Sequence, residues 1–254
     1  LLVCCMLIML LPTTVFATGT ESESIQFVGG DGTREDPYQI ATAEQLDAIR
    51  NDLSAHYVLV ANIDLSVIDN WGWIPIGTKD ESFSGSLDGA GYSISNLHGT
   101  SSPYHGLFGC IDSSGEIKNL KISSFSISAG RCGGILVDYN DGLIQNCEVS
   151  GSVSGSSGNY YEIAIGGIAG ENTGTIQYCR VVTMNDNIIS GNTVGGIAGY
   201  NYGTILACES NCSVASKTIK NGLAISGGIV GYNSGDVILC KANGSSTSSV
   251  YYAS

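Results

Sequence analysis

The residues best placed to do chemistry in this 254-residue chain are cysteines, carboxylates and tyrosines that return at fixed places. Cys147, Cys179, Cys208 and Cys240 each follow a glycine (142, 174, 203, 235) by five residues. Thiolates at constant spacing suggest zinc, but zinc sites combine close Cys pairs or Cys with His. No such Cys pair and no His fall inside these repeats, and the earliest copy carries Leu120 at the same place. A position that accepts both Leu and Cys is a buried apolar one, where the thiol acts as a small hydrophobe. Disulfides are disfavoured as well, because β-carbons stacked ~4.8 Å apart exceed the ~3.8 Å typical of a bridge. With Cys110, Cys132 and Cys212 the set numbers seven after the leader, an odd count that cannot pair fully within the chain. Buried free thiols are expected, with no metal and no cofactor.

Glycoside hydrolysis needs two carboxylates about 5–9.5 Å apart. Asp138, Asp141, Glu148, Glu171, Glu209 and Asp236 are available, but they share no single column, although Asp141 and Glu171 are neighbours that could approach. Lyase chemistry would want a base beside a metal, and Arg131, Arg180, Lys217, Lys220 and Lys241 are scattered. The tyrosines are more regular. Tyr139, Glu171, Tyr200 and Tyr232 each stand just before an asparagine, with Tyr202 close by. Tyrosine offers a flat apolar face with a polar tip, suited to ligand contact. These five residues form the candidate ligand-binding row.

The elements that hold these side chains come from one phrase. Gly195-Gly196-Ile197-Ala198-Gly199-Tyr200-Asn201-Tyr202-Gly203-Thr204-Ile205 recurs from Gly166 and Gly227, more loosely from Gly133, and faintly from Gly106. Aligning glycines 106, 134, 167, 196 and 228 gives steps of 28, 33, 29 and 32 residues. A period of that size marks a stacked-repeat architecture. Ile117, Ile144, Ile176, Ile205 and Val237 share one column, and Ile122, Val149, Val181, Ser210 and Ala242 another, as period-two alternation along strands requires. Asn140, Asn172, Asn201 and Asn233 form a polar column suited to turns and to side-chain ladders. In the copy at Gly133, this alignment puts Val137 in place of the last repeat glycine.

Composition agrees. Gly numbers 35, Pro 4, and only 13% of residues are charged, which favours short strands and tight turns. Ten basic against 23 acidic residues give a net charge of -13, which argues against nucleic acid or an anionic membrane as partner. Residues 1–17 read as a secretory signal remnant, an apolar run followed by Val15-Phe16-Ala17, in a chain clipped at its start. The run is too short to span a bilayer, so no integral membrane segment is expected after signal removal. A single amphipathic helix is predicted at about Ala43 to Leu53, with Thr42 as N-cap and Gln45 completing a capping box. It should close one end of the stack, as solenoids require. Trp71 to Gly77 reads as an aromatic turn over that cap, and Phe83, Leu87, Ile94 and Leu97 as core.

Gly106-Leu107-Phe108-Gly109 followed by the Gly-Gly-Ile-Ala-Gly copies resembles the GLUG repeat of bacterial surface proteins. The preceding stretch, from Gly32-Thr33 through Pro37-Tyr38-Gln39-Ile40, Asn62-Ile63-Asp64-Leu65 and Trp73-Ile74-Pro75-Ile76-Gly77 to Asp88-Gly89, is similar to what stands ahead of such repeats. The resemblance covers about Gly29 to Ala242. It implies an all-β, right-handed parallel β-helix and an exported, cell-surface location, with no defined enzymatic activity. The domain reading is 1–17 signal remnant, 18–104 cap helix and first coils, and 105–254 repeats. Some relatives of the repeat sit in immunoglobulin-A metallopeptidases, whose zinc helix is of the H-E-x-x-H type. His56, His98 and His105 do not make one, and read as surface or turn residues. The expected function is a non-catalytic surface module, adhesin-like or a spacer, meeting an extracellular glycan or a host or bacterial surface protein. The alternatives are a polysaccharide lyase or glycoside hydrolase, or the non-catalytic N-terminal part of a larger surface peptidase continuing past Ser254.

Overall fold

The computed structural model describes residues 25–68, 72–98, 104–129, 132–155, 163–182, 188–219 and 224–251. The leader-like segment 1–17 lies outside them. The described residues form a parallel β-solenoid in which every strand pairs with its counterpart one coil away. One sheet stacks eight strands in a single path, from Tyr38–Ile40 through His56–Leu59 and Ser86–Asp88 to Asp236–Ile238. A second stacks Phe108–Ile111, Val137–Asn140, Ala169–Asn172, Ala198–Asn201 and Val230–Asn233. The coils before Gly106 belong to the same stack, since Leu87 pairs with Ile117 and Ile94 with Ile122.

The apolar columns are the core. Ile117, Ile144, Ile176 and Ile205 sit in register and are fully buried, with Leu87 continuing the column below them. Ile122, Val149, Val181 and Ser210 form the second column, again buried. Phe83, Leu87, Ile94 and Leu97 are all fully buried. Burial of such side chains is worth roughly 1.5–3 kcal/mol each, and stacking like on like lets every coil reuse one packing solution.

Register corrects the glycine alignment. Gly134 pairs with Gly166, which pairs with Gly195 and then Gly227. The spacings are therefore 32, 29 and 32 residues. Val137 pairs with Ala169, which places Asp138 rather than Val137 in the column of Gly170. Elsewhere that column has no room for a side chain. A Cβ on Gly170 would lie 2.3 Å from the Cys132 sulfur and 2.7 Å from the Gly133 nitrogen, and one on Gly199 2.5 Å from the Ile165 nitrogen.

The helix is shorter than its apolar pattern. It runs Ala43–Asp47 and tightens into a 3₁₀ turn over Ala48–Asn51. The capping box is present: Thr42 accepts from the Gln45 N–H, while the Gln45 side chain accepts from the Thr42 N–H. Leu46 and Ile49 are fully buried in the common core, whereas Leu53 packs only partly against it. Asp52 turns to extended backbone, and its carboxylate takes the N–H groups of Ser54 and Ala55, which ends the helical run before Leu53. Trp73 does pack against this cap, with the Arg50 guanidinium 5.8 Å from its ring and its own N–H donated to the Leu107 carbonyl at 3.0 Å.

Candidate functional site

The tyrosine row exists as a register column. Tyr139 pairs with Glu171, Glu171 with Tyr200, and Tyr200 with Tyr232. Strand pleating turns them away from the core, because their strand neighbours Asn140, Asn172 and Asn201 point inward and are buried. Glu171 divides the row in two. On one side Tyr200, Tyr202 and Tyr232 form a triangle of rings with centroids 5.7–6.2 Å apart, and Tyr200 meets Tyr232 edge to face. Tyr202 and Tyr232 are 48% and 45% exposed, so the triangle is a surface patch. On the other side Tyr139 is half-buried, edge-on to Tyr104, with the Lys79 ammonium 3.8 Å over its ring. Burial raises the Tyr139 hydroxyl's pKa, and burial likewise raises that of the Glu171 carboxyl, against the pull of Lys79.

The asparagines behind the row are structural. Asn140 donates to Asn172, Asn172 to Asn201 and Asn201 to Asn233, each at 2.7 Å. Each also donates to the carbonyl two residues ahead, on Gly142, Gly174, Gly203 and Gly235. The preceding coil brings Ile111 to this column, and the buried Oδ1 of Asn140 finds no hydrogen-bond partner among the described residues.

The cysteine column is a ladder as well. The N–H groups of Cys147, Cys179 and Cys208 each approach the sulfur of the next coil's cysteine at 3.4 Å. All seven described cysteines are free, six of them buried and Cys240 half-buried. Burial pushes the Cys179 pKa far up, and the hydrogen bond with the Cys179 thiol, with burial, does the same for Cys208, so these groups stay neutral.

One grouping was not foreseen. Asp138, in the glycine column, is wholly buried, and its carboxylate accepts the N–H of His105 at 2.8 Å and of Gly134 at 3.4 Å. His105 is therefore a buried residue, not a surface one, and its Nδ1 lies 3.8 Å from the same carboxylate. His56 is half-buried in a strand, with Nδ1 2.8 Å from Ser86 Oγ, and His98 is exposed. Of the carboxylates available for glycoside hydrolysis, Asp138 is thus enclosed, and Glu148 and Glu209 both flank Arg180 at 3.9 and 3.5 Å. Asp141 accepts from the Thr173 hydroxyl. Among the described residues no group of three or more His, Cys, Asp or Glu is arranged to hold a metal, and no helix is long and apolar enough to cross a membrane.

No protein-family model matches the chain. It is similar to halomucin of Haloquadratum walsbyi, 38% identical over 173 residues, which are 63% of this chain and 2% of that protein. A protein of Evansella cellulosilytica provisionally named a Gly-rich membrane protein is 38% identical over 139 residues, 51% of this chain and 16% of its own length. The matches therefore span small fractions of these relatives. The crystal structure of a Bacteroides ovatus protein, provisionally assigned as an immunoglobulin A1 protease, superposes with a TM-score of 0.68 and 27% identity, covering 87% of this chain and 70% of that one. A structure described as IgA1 protease shares the fold at a TM-score of 0.52 and 15% identity, over 84% of this chain and 20% of that one.

Proposed function

We propose that the chain is a non-catalytic, exported surface module built of GLUG-type coils, whose outward tyrosine row meets an extracellular glycan or surface protein. The observation that carries this reading is the triangle of Tyr200, Tyr202 and Tyr232, two of its rings nearly half exposed on an otherwise polar edge. Aromatic surface that could have been covered and is not marks a contact site. The rigid ladders behind it hold the rings at fixed spacing, which lowers the entropy lost on binding. Similarity to a halomucin and to a Gly-rich membrane protein supports an extracellular or surface setting. Likeness to the Bacteroides ovatus structure favours a second reading, in which the chain is the non-catalytic part of a larger surface peptidase.

The test is glycan and surface-protein array screening with the full chain, followed by Tyr202→Ser and Tyr232→Ser. Binding to the array hit should weaken in both variants with little change in melting temperature. Binding that survives both changes refutes the assignment. Release of reducing sugar or peptide by the wild-type chain, abolished by replacing one repeat carboxylate, refutes the non-catalytic reading.

A further inference from the structure

One strand further along each coil, at the corner after Thr175–Gln177, a groove of about 630 Å³ runs across four successive coils. Its floor is the row of corner residues that adopt left-handed backbone, Asn119, Asn146 and Tyr178, at φ of 54°, 52° and 55°. Each corner N–H bonds a carbonyl of the next coil, so the geometry is imposed by stacking in every coil. Asparagine adopts that conformation at little cost, whereas a bulky side chain there is a costlier outlier. Ala207 and Leu239 adopt it too, so the backbone alone says nothing about a ligand. What sets Tyr178 apart is its setting: a ring 55% exposed, and the sole aromatic side chain among the described residues lining the groove. The other large side chains there are amides and charges, with small Ala90, Gly91 and Cys147 between them.

Those polar groups are organised along the stack. Asn119 donates to Asp88 at 3.0 Å and Asn146 donates to Asn119 at 2.8 Å, and the next coil brings Tyr178, which carries no amide. Two residues beyond the corners, the groove is also lined by Lys121, Glu148 and Arg180, in strict register and of alternating sign. Two acids and two bases balance the groove to no net charge, within a chain of net charge -13 that repels anions at long range. Coils recur about every 4.8 Å, close to the length of one sugar unit in an extended β-linked chain. We infer that this corner groove binds a neutral β-linked oligosaccharide laid along the stack. The Tyr178 ring stacks on one sugar, while Asp88, Asn119, Asn146 and Glu148 bond hydroxyls on its neighbours. The site is separate from the tyrosine row.

Saturation-transfer NMR and titration of the full chain with cellotetraose, laminaritetraose and chitotetraose test this, with tetragalacturonate as the anionic arm. At least one neutral tetrasaccharide should bind, and the anionic one more weakly. Tyr178→Asn should weaken that binding about tenfold or more while the melting temperature holds or rises, since it restores the residue that two other corners use. Asn146→Gly, which keeps a left-handed corner and removes the amide, should also weaken it. Tyr232→Ser should leave it within about twofold, being remote. No binding by any neutral tetrasaccharide, a preference for tetragalacturonate, or undiminished binding in both groove variants overturns the inference.

Discussion

The carboxylate of Asp138 accepts the backbone N–H of His105, 33 residues back along the chain, at 2.8 Å. It fits there because the preceding segment approaches this column with a donor, whereas Gly170 and Gly199 face sulfur or backbone with no space between. Burial raises the Asp138 pKa, outweighing the opposing pull of His105. A folded-state value above the unfolded one, about 3.9, gives stability that is present at low pH and lost as pH rises through the folded value. Asp138→Asn keeps an oxygen for the His105 N–H and cannot ionise. Its melting temperature relative to the native chain should therefore rise between about pH 4 and about pH 7. Thermal melts at both pH values check this, and a constant difference would exclude burial of the charge as the cause.

Asn172 is the mid-ladder residue, accepting from Asn140 and donating to Asn201. Asn172→Ala leaves a buried donor on Asn140 and a buried acceptor on Asn201 without their ladder partner. Each such group costs about 1–3 kcal/mol, so urea unfolding should show a loss of about 3 kcal/mol. Asn233 is exposed and lies last in the described ladder. Its replacement by Ala should cost about 1 kcal/mol. Equal losses at the two positions would mean that the ladder carries no burial-dependent energy.

The thiols divide in the same way. Cys147, Cys179 and Cys208 are buried and Cys240 is half-buried. Native-state alkylation followed by mass spectrometry should label Cys240 first, with the other three reacting only in denaturant. Burial raises the Cys240 pKa too, so its labelling should accelerate as pH rises above neutrality. Uniform labelling of all four in the native chain contradicts the buried ladder.

Much of this was legible because a solenoid presents the same environment once per coil. The Ile, Cys, Asn and Tyr columns could be aligned from spacing alone; strand register bears out the Ile, Asn and Tyr columns, and the N–H to sulfur contacts at 3.4 Å bear out that of the cysteines. Glycines were the poorer ruler. The pair Gly133-Gly134 looks like Gly166-Gly167, yet Gly134 pairs with Gly166, because core and ladder contacts of Val137 and Asn140 set the register. Spacing overstates the helix, because the apolar pattern continues to Leu53 although Asp52 has already redirected the backbone. Two features had no sequence signal. The Asp138–His105 contact joins residues 33 apart in the chain, and neither residue type nor spacing marks it. The corner groove is made of ordinary Asn, Lys, Glu and Arg residues that only stacking brings together.

Tyr200 and Tyr232 pair in register and their rings meet nearly at right angles, 5.7 Å apart. Tyr200 is the more covered of the two, so it acts as the strut and Tyr232 as the presented surface. Edge-to-face pairs add about 0.5–1.5 kcal/mol beyond the area they bury. A double-mutant cycle with Tyr200→Leu and Tyr232→Leu, read by urea unfolding, should return a coupling near the lower end, about 0.5 kcal/mol, since half of the contact is wet. In the binding assay Tyr200→Leu should weaken the array ligand although Tyr232 itself remains, because the ring it oriented is then free to rotate and the entropy cost returns. If Tyr200→Leu leaves affinity intact while Tyr232→Leu abolishes it, the two rings act independently and the pre-organised row is wrong. If neither change affects affinity, the cluster is a cover for the turn backbone and the ligand contacts another face.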